Sequence, residues 1–373
     1  MIAFFLLVFG VYFVIVIVLI VGWQMALEKR ASDHIHFYRI AVVVPFRNEE
    51  QHLKKLLDGL CQQDYPADKM ELILVNDHSD DRSVEIVNSF LMGSHSIRVV
   101  HLSEQLAGKK RALALGIETS SADIIVTTDA DCIVSPTWIS MINDSFQHPS
   151  HEMVVGAVKI NSQSSLFSKI QTMEFASVIG SGAATLGFGL PTMCNGANLA
   201  FRKSAYDAVD GYEGNFNIAS GDDEFLMRKI AEKYPGKIAF LAEAESVVAT
   251  EPQSTISAFL QQRIRWAGKW KSNSSNATQA LAIYIFIFQL SYLAVGLFMI
   301  FRIIPSSIFF LLVGTKWLLE FLFLFQICHF LKVRWHWSSF FLLQFLYPFY
   351  VCWVALMAQG KPVIWKGRKS SVK

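Results

Sequence analysis

The sequence predicts an α/β domain with a doubly wound, mostly parallel sheet, joined to transmembrane helices at both ends of the chain. Two observations carry this prediction. Hydrophobic residues make up 53% of the 373 residues and charged residues only 17%, with the apolar excess at the two ends, whereas soluble domains are about 25% charged. Between the ends, short apolar runs alternate with helical stretches, which is the pattern of a parallel α/β sheet.

The composition also excludes several classes of protein. The chain is too apolar for an ordinary soluble enzyme or a disordered protein. A formal net charge of +2 is too small for a protein that binds nucleic acid through a basic surface. The five cysteines form no CxxC pair and show no metal-ligand spacing, so we expect free thiols in a reducing compartment.

The first element is an apolar segment over residues 2–21, long enough to cross a bilayer as a helix. The basic residues Lys29 and Arg30 follow it and indicate that this side lies in the cytoplasm. A cleaved signal peptide is the alternative, but the segment has no basic start and no small-x-small cleavage site. We therefore assign residues 1–23 to a transmembrane anchor.

Residues 36–272 form the predicted α/β domain. Its strands are continuous apolar runs that end in polar residues, as expected for strands buried on both faces of a parallel sheet. The predicted strands span residues 39–44, 71–75, 97–100 and 123–128, and the predicted helices span residues 49–62, 82–91 and 109–119. Ligands bind beyond the carboxyl ends of the strands in such sheets, so the polar residues there are the candidate site.

The C-terminal part of the chain, residues 280–358, is a second predicted membrane segment. Its three candidate spans cover residues 280–301, 305–328 and 337–358. Lys316 and Glu320 lie on one helical face of the second span. We favour a pair that is neutralised inside the bundle, and a site for a lipid headgroup is the alternative.

The basic tail, residues 359–373, conflicts with three complete late crossings. Three crossings would place the tail on the side opposite to a cytoplasmic domain, although positive residues prefer the cytoplasm. A re-entrant or interfacial late segment would resolve this conflict, and the sequence leaves the choice open.

Polar residues follow the first two predicted strands. Residues 45–50 have the sequence PFRNEE, and residues 76–81 have the sequence NDHSDD. Carboxylates at these positions can accept hydrogen bonds from a nucleoside, and Arg47 can bind a ring or a phosphate. Helix capping by Asn48 and Asp80 is the alternative. Neither GxGxxG nor GxxxxGK[ST] occurs, so the sequence supports neither a dinucleotide site nor a P-loop.

Asp129 and Asp131 follow the fourth predicted strand. Because they are two residues apart, both carboxylates project to the same side of an extended segment. A hard divalent cation, Mg²⁺ or Mn²⁺, relieves their repulsion and can be shared with a diphosphate. A solvated loop is the alternative, and the position at a strand end favours the metal site.

Asp223 lies between two other acids, Asp222 and Glu224. Crowding by like charges favours a carboxylate that can act as a general base. The alternative is an acidic first turn of a helix over residues 224–233, which the helix dipole favours.

Residues 261–270 interleave arginine and tryptophan just before the first late span. This pattern is typical of an interfacial helix. In the functional interpretation, Arg265 faces a diphosphate and Trp266 provides a platform for a sugar ring or an acceptor.

Taken in order, these motifs resemble those of the membrane-bound family 2 glycosyltransferases, which are inverting enzymes with a GT-A nucleotide-sugar-binding fold. The matching segments are PFRNEE at 45–50, ND at 76–77, GKKRAL at 108–113, DAD at 129–131, GANLAFR at 196–202, DD at 222–223 and QRIRW at 262–266. Each segment is loose by itself, but the ordered set is specific.

The resemblance implies a role for each matching residue. The residues implied to bind the nucleotide-sugar are Pro45, Arg47, Glu49, Asp77, Lys109, Asp129 and Asn198. Those implied to hold the metal are Asp129 and Asp131. The implied catalytic residues are the base Asp223 and the QxxRW residues Gln262, Arg265 and Trp266. Asp222 stands where the family more often has Glu, which leaves the assignment of the base intact.

The resemblance also implies a reaction: transfer of a sugar from a nucleotide-diphosphate-sugar, a UDP-sugar, with inversion to a β-linked product. We favour a membrane lipid as acceptor, because the ending Trp365–Arg368 resembles that of lipid-directed enzymes of the ceramide glucosyltransferase kind. The alternative is a processive polysaccharide synthase, whose QxxRW motif is similar, although three late spans are few for a polymer channel.

Two classes without this activity fit the sequence less well. A catalytically dead scaffold would not need the intact acids and Arg265, and a transporter would need more spans. The resemblance further implies an integral protein of the bacterial cytoplasmic membrane with its catalytic domain in the cytoplasm.

Overall fold

The computed structural model describes residues 1–28, 36–91, 96–161, 164–216, 221–268, 276–358, 363–365 and 368–370. For residues 276–278, 363–365 and 368–370 it describes the backbone alone. Lys29, Arg30, the end of the predicted domain at 269–272 and most of the predicted basic tail lie outside the described residues.

Within these described ranges, the strands build one large sheet and two small ones. In chain order they are β1 (Ile40–Phe46), β2 (Met70–Asn76), β3 (Ser96–His101), β4 (Ile124–Thr127), β5 (Cys132–Ile133), β6 (Met153–Val155), β7 (Val158–Ile160), β8 (Leu199–Arg202), β9 (Ile238–Phe240), β10 (Val248–Thr250), β11 (Val363–Trp365) and β12 (Arg368–Ser370). The large sheet has the order β3-β2-β1-β4-β8-β6-β9, in which only β8 is antiparallel to its neighbours. The small sheets are β5-β10-β7 and the hairpin β11-β12.

Helices cover both faces of the large sheet and extend from it into an apolar bundle. They are α1 (Ile2–Ala26), α2 (Leu53–Leu60), α3 (Ser83–Phe90), α4 (Lys109–Thr119), α5 (Trp138–Phe146), α6 (Leu166–Gly187), α7 (Lys203–Ala208), α8 (Asp222–Lys233), α9 (Ile256–Ala267), α10 (Asn276–Ile300), α11 (Ser306–Phe330) and α12 (Trp337–Met357). Short 3-10 turns occur at 67–69, 196–198 and 244–246.

Alternate residues of β1 pack into cores on opposite faces of the sheet. Val42 and Val44 join a core that includes residues of α2 and α5, whereas Ala41 and Val43 join one that includes residues of α4 and α8. Because both faces are covered, a central strand such as β1 is apolar throughout rather than alternating. The predicted fold class, a doubly wound and mostly parallel sheet with long apolar helices at both ends of the chain, is confirmed.

The predicted helix at 49–62 is shorter than expected. Asn48 has a left-handed backbone with φ 52°, and α2 begins only at Leu53. The amides of Glu49 and Glu50 donate to the Ser83 Oγ at 2.8 Å and the Asp81 Oδ2 at 3.0 Å. Contacts with the segment from β2 to the start of α3 therefore replace the first turn of the predicted helix.

Among the described residues, four helices are long and apolar enough to cross a membrane: α1, α10, α11 and α12. Within this bundle the Lys316 ammonium lies 2.8 Å from Glu320 and donates to the Gln344 amide at 2.6 Å. Tyr12 of α1 donates to the same Glu320 at 2.5 Å. The pair is therefore neutralised inside the bundle, as favoured from the sequence, and joins three of the helices.

The glycine-rich stretch at 180–191 is partly helical. Helix α6 continues through Gly187 and packs on α1, where a side chain at Gly22 would clash with the Ala184 carbonyl oxygen, which lies 2.3 Å from the Cβ position. A side chain at Gly187 would likewise meet the Gly22 carbonyl at 2.1 Å. The glycines therefore permit close approach of two helix backbones, as in helix pairs within membranes.

Candidate active site

One cavity of about 1220 Å³ extends from the carboxyl ends of β1, β2 and β4 to helices α10 and α12. The register of the sheet explains its position, because Phe46 of β1 pairs with Asn76 of β2, and Val43 of β1 pairs with Thr127 of β4. The sequence-predicted residues that line this cavity are Pro45, Arg47, Glu49, Asp77, Lys109, Asp129, Asp131, Asp223, Gln262, Arg265 and Trp266. Of the predicted site residues, only Asn198 does not line it.

At one end of the cavity, Asp77 ties the β2 end to the start of α4. Its Oδ2 accepts a hydrogen bond from the Gly108 amide at 3.0 Å, and Gly108 has a φ of 107° that favours glycine. The Arg47 Nη1 donates to the Asp77 carbonyl at 3.3 Å. These contacts hold together, at one edge of the sheet, the segment after β1, the segment after β2 and the start of α4.

Asn48 and Asp80 do not cap helices, so that alternative is wrong. The Asn48 side chain accepts from the Asp80 amide at 3.0 Å, and the Asn48 amide donates to the Ser79 Oγ at 3.1 Å. Helix α2 follows His52, and α3 follows Arg82. The residues instead cross-link the two loops that form the end of the cavity.

Lys109 lies at the N-terminus of α4 among acids. Its Nζ is 2.5 Å from the Asp129 Oδ1 and 3.8 Å from the Asp222 Oδ2. Burial alone would lower the pKa of the ammonium, but Asp129, Asp222 and Asp223 together raise that pKa above its usual value. Lys109 is therefore a charged donor at a helix N-terminus, a position that suits phosphate.

Asp131 is a half-buried carboxylate of the cavity lining that lies among other acids. Burial, followed by the charges of Asp129 and Glu49, raises the pKa of Asp131 to about 6, against the opposing charges of Lys109 and His52. A divalent cation would relieve this crowding, so the residues fit Mg²⁺ or Mn²⁺. No group of three His, Cys, Asp or Glu side chains within the described ranges is placed to hold an ion, so phosphate oxygens would have to supply further ligands.

Asp223 lies in the first turn of α8. Its Oδ2 accepts from the Gly196 amide at 3.1 Å and its Oδ1 from the Glu224 amide at 2.8 Å. Both hydrogen bonds stabilise the ionised form, which a base requires. The acidic first turn predicted as an alternative is therefore present as well.

The crowding expected around Asp223 is relieved by neighbouring cations. The Asp222 Oδ2 lies 3.8 Å from the Lys109 Nζ. The Glu224 Oε2 lies 3.5 Å from the Nη2 of Arg228, one turn further along the helix. The three consecutive acids therefore have different environments, which their spacing along the chain does not reveal.

Helix α9 carries the QxxRW residues into the cavity. The Arg265 guanidinium interacts with the charges of Asp129, Asp222 and Asp223; burial lowers its pKa and these acids oppose that effect. Trp266 lines the cavity and lies 5.8 Å from the Phe175 ring, centroid to centroid. Arg265 can therefore meet negative charge at the centre of the cavity, beside an aromatic surface.

Asn198 does not reach the cavity and is 1% exposed. Its Nδ2 donates to the carbonyls of Ala157 at 2.8 Å and Ser246 at 2.9 Å, and its Oδ1 accepts from the Trp138 indole at 3.0 Å. Both amide hydrogens are engaged with other elements, so Asn198 holds the wall together and does not form the floor beneath a donor sugar.

Sequence reasoning missed three side chains in the cavity wall: Glu174, Arg263 and Tyr350. The Arg263 Nε donates to the Glu174 Oε1 at 3.0 Å, and the Tyr350 hydroxyl donates to the same oxygen at 3.1 Å. One signal was available, since Glu174 is the only acid in the apolar segment that forms α6. A buried acid there requires a partner.

Comparisons with known proteins agree with this architecture. Residues 41–210 match the model of Glycosyl transferase family 2. Poly-beta-1,6-N-acetyl-D-glucosamine synthase of Staphylococcus epidermidis is 29% identical over 280 residues, which cover 69% of this chain and 62% of that protein. The protein of the same name in Staphylococcus aureus strain COL is 30% identical over 223 residues, which cover 59% of this chain and 52% of that protein.

The chain thus spans between 52% and 62% of the length of these curated relatives. A mannosyltransferase from Pyrobaculum calidifontis, solved in complex with GDP-Man and Mn²⁺, is 17% identical with a TM-score of 0.56. The match covers 96% of this chain and 95% of that one, which shows a common fold.

Proposed function

Residues 41–210 of this chain form a Glycosyl transferase family 2 domain, and we propose from that premise that the protein transfers a sugar from a nucleotide-diphosphate-sugar, a UDP-sugar, to a hydroxyl group presented at the membrane. One observation carries the proposal. A single cavity holds the strand-end residues around Asp77, the acids around Asp131, the acid Asp223 and the Arg265–Trp266 pair, and it extends to α10 and α12.

The proposed reaction is a single displacement. The Asp223 carboxylate takes the proton of the acceptor hydroxyl as its oxygen attacks the anomeric carbon. The bond from that carbon to the diphosphate oxygen breaks, and the leaving group departs with the electron pair. Attack from the opposite face converts an α-linked donor into a β-linked product. Lys109 and Arg265 stabilise the negative charge that develops on the diphosphate.

Asp129 and Asp131 would hold Mg²⁺ or Mn²⁺ together with the donor phosphates, and the ion would supply additional neutralising charge. Asp77 and Arg47 would bind the nucleoside at the edge of the sheet. Trp266 would offer its ring to a sugar, since aromatic rings present a large apolar face with a polar edge.

A membrane lipid is the proposed acceptor. Where the cavity meets the bundle, its lining is apolar and includes Leu281, Ile285 and Phe286 of α10 with Val351 and Val354 of α12. Such a surface suits an acyl or prenyl chain whose polar end reaches Asp223. A growing polysaccharide is the second candidate, favoured by the name of the relatives, poly-beta-1,6-N-acetyl-D-glucosamine synthase.

Product analysis separates these two acceptors. Membranes containing the protein are incubated with a panel of radiolabelled nucleotide-sugars, among them UDP-sugars, and are then extracted with organic solvent. We expect the label in a single glycolipid that is absent with the Asp223→Asn variant. A water-soluble ladder of products of increasing length would instead establish the polysaccharide synthase, and absence of transfer from every donor would overturn the transferase proposal.

We further propose that α1, α10 and α11 cross the membrane and that α12 does not. Near the end of α11, Lys332 pairs with Glu245 of the α/β domain at 2.9 Å. Towards its other end, α12 contacts Glu174 through Tyr350 and lines the active-site cavity. The backbone of β11 then lies beside α9. Both ends of α12 therefore face the domain, and the β11 backbone lies on the same side.

This topology agrees with the preference of positive residues for the cytoplasm. We propose the cytoplasmic membrane of a bacterium as the location, with the α/β domain in the cytoplasm. The division of the chain into an anchor (1–23), a catalytic domain (36–272), a membrane segment (280–358) and a basic tail (359–373) is retained as part of this proposal, with 337–357 as an intramembrane or interfacial helix.

Reporter fusions test the topology. Alkaline phosphatase fused after Lys373 should be inactive, because that end is expected in the cytoplasm, where the enzyme does not form its disulfides. The same reporter fused after Arg302, in the connection between α10 and α11, is the matched control and should be active. Activity at both positions would show that α12 crosses the membrane.

A further inference from the structure

Three helices contribute one side chain each to a cluster in which two members are buried and the tyrosine is half-buried. Glu174 belongs to α6, Arg263 to α9 and Tyr350 to α12. We propose that this cluster, the clamp, consists of positioning residues that hold Gln262 and Trp266 at the cavity and tie them to the membrane segment. The inference rests on the proposed transferase function and adds to it residues that act through their neighbours.

The centre of the clamp is a bidentate ion pair. The Arg263 Nε donates to the Glu174 Oε1 at 3.0 Å, and its Nη2 donates to the Oε2 at 2.5 Å. Both side chains are 4% exposed, and Tyr350 adds a hydrogen bond to Oε1 at 3.1 Å. Parallel hydrogen bonds from a planar guanidinium to a carboxylate fix the orientation of both groups.

Arg263 also contacts two residues of the QxxRW motif. Its Nη1 donates to the Gln262 Oε1 at 2.5 Å, and its guanidinium carbon lies 4.3 Å from the centre of the Trp266 ring. One buried cation therefore orients the Gln262 amide and the Trp266 ring together. Arg265, two residues further along, faces the catalytic acids instead.

The clamp connects this motif to the membrane bundle. Tyr350 lies on the same helix as Gln344, whose amide donates to Glu320 at 2.8 Å and accepts from Lys316 at 2.6 Å. The Tyr350 ring also lies 5.6 Å from the Phe259 ring of α9, centroid to centroid. Helix α12 is therefore attached both to the bundle and to the motif helix.

This connection has a kinetic consequence. The nucleotide end of the cavity is built from strand ends and α4, which the clamp does not contact. Loosening the clamp should therefore misplace Gln262 and Trp266 relative to the donor without weakening nucleotide binding. A displacement of about 1 Å in a catalytic arrangement can cost about 100-fold in rate.

The first test removes one hydroxyl group. Tyr350→Phe should lower kcat about 10-fold, measured as the release of nucleoside diphosphate from the UDP-sugar that serves as donor. The Kd for UDP with Mn²⁺ and the Tm in detergent should stay at their wild-type values. Tyr284→Phe is the matched control, since it also removes a tyrosine hydroxyl from a membrane helix, one that donates to the Val8 carbonyl at 2.8 Å, and its kcat should be unchanged.

The second test separates positioning from stability. Glu174→Gln and Arg263→Gln each leave one buried charge without its partner, so each should lower the Tm. The double variant removes both charges and should recover the Tm, while its kcat stays about 10- to 100-fold below wild type. Recovery of kcat together with the Tm, or wild-type kcat in Tyr350→Phe, would overturn the clamp. Absence of transfer by the wild-type protein would overturn the proposed function instead.

Discussion

Asp223→Asn should lower the turnover number by about 10²-fold or more, because a general base usually contributes about 10²- to 10⁴-fold to the rate. Asparagine has nearly the same size, and its amide oxygen can still accept the hydrogen bond that the Gly196 amide donates to Asp223. It cannot accept the proton of the acceptor hydroxyl at neutral pH. Because the proposed nucleotide-binding residues are other side chains, the Kd for UDP with Mn²⁺ should remain unchanged.

Steady-state release of nucleoside diphosphate and calorimetry of UDP binding measure the two quantities separately. Asp58→Asn is the matched control, an exposed acid of α2 that pairs with Lys54 at 2.9 Å, and it should keep wild-type turnover. Near-normal turnover of Asp223→Asn would remove this residue from the role of base. A weakened Kd in place of a lowered kcat would assign it to donor binding.

Asp131→Asn should abolish metal-dependent nucleotide binding. Loss of residues that merely orient metal ligands costs about 10- to 100-fold in affinity, so loss of a ligand should cost at least about 100-fold. The substitution removes a carboxylate whose pKa is raised by burial and by the charges of Asp129 and Glu49. It keeps the shape of the side chain.

Calorimetric titration of UDP with and without Mn²⁺ tests this expectation. The wild-type protein should bind UDP more tightly when Mn²⁺ is present, and Asp131→Asn should lose that difference. Asp223→Asn is the internal comparison, because it should retain the effect of Mn²⁺ while losing turnover. Equal enhancement by Mn²⁺ in wild type and Asp131→Asn would discard the metal assignment.

The α/β architecture and most of the candidate site follow from local features of the sequence. Apolar runs such as the one that forms β1 require burial on both faces, and parallel strands carry their polar ends to one edge of the sheet. Arg47, Asp77 and Asp129 follow three such strands, and the register of the sheet places them in one cavity. Adjacent parallel strands make this convergence predictable without knowledge of distant contacts.

Other properties depended on partners that lie far apart in the chain. The sequence drew attention to Arg265 through the QxxRW motif, but Arg263 is the arginine that meets Glu174, which lies 89 positions away. Asn198 sits in a motif that suggests sugar binding, yet contacts with Ala157, Ser246 and Trp138 engage its amide.

The sequence by itself determined the fold class, the four long apolar helices and the acids at the strand ends, because periodicity and strand-end position are local quantities. The tertiary structure alone decided which arginine is buried, how the acids around Asp223 are neutralised and where the ends of α12 lie. Burial and charge compensation depend on which distant elements meet, and the order of residues along one element does not contain that information.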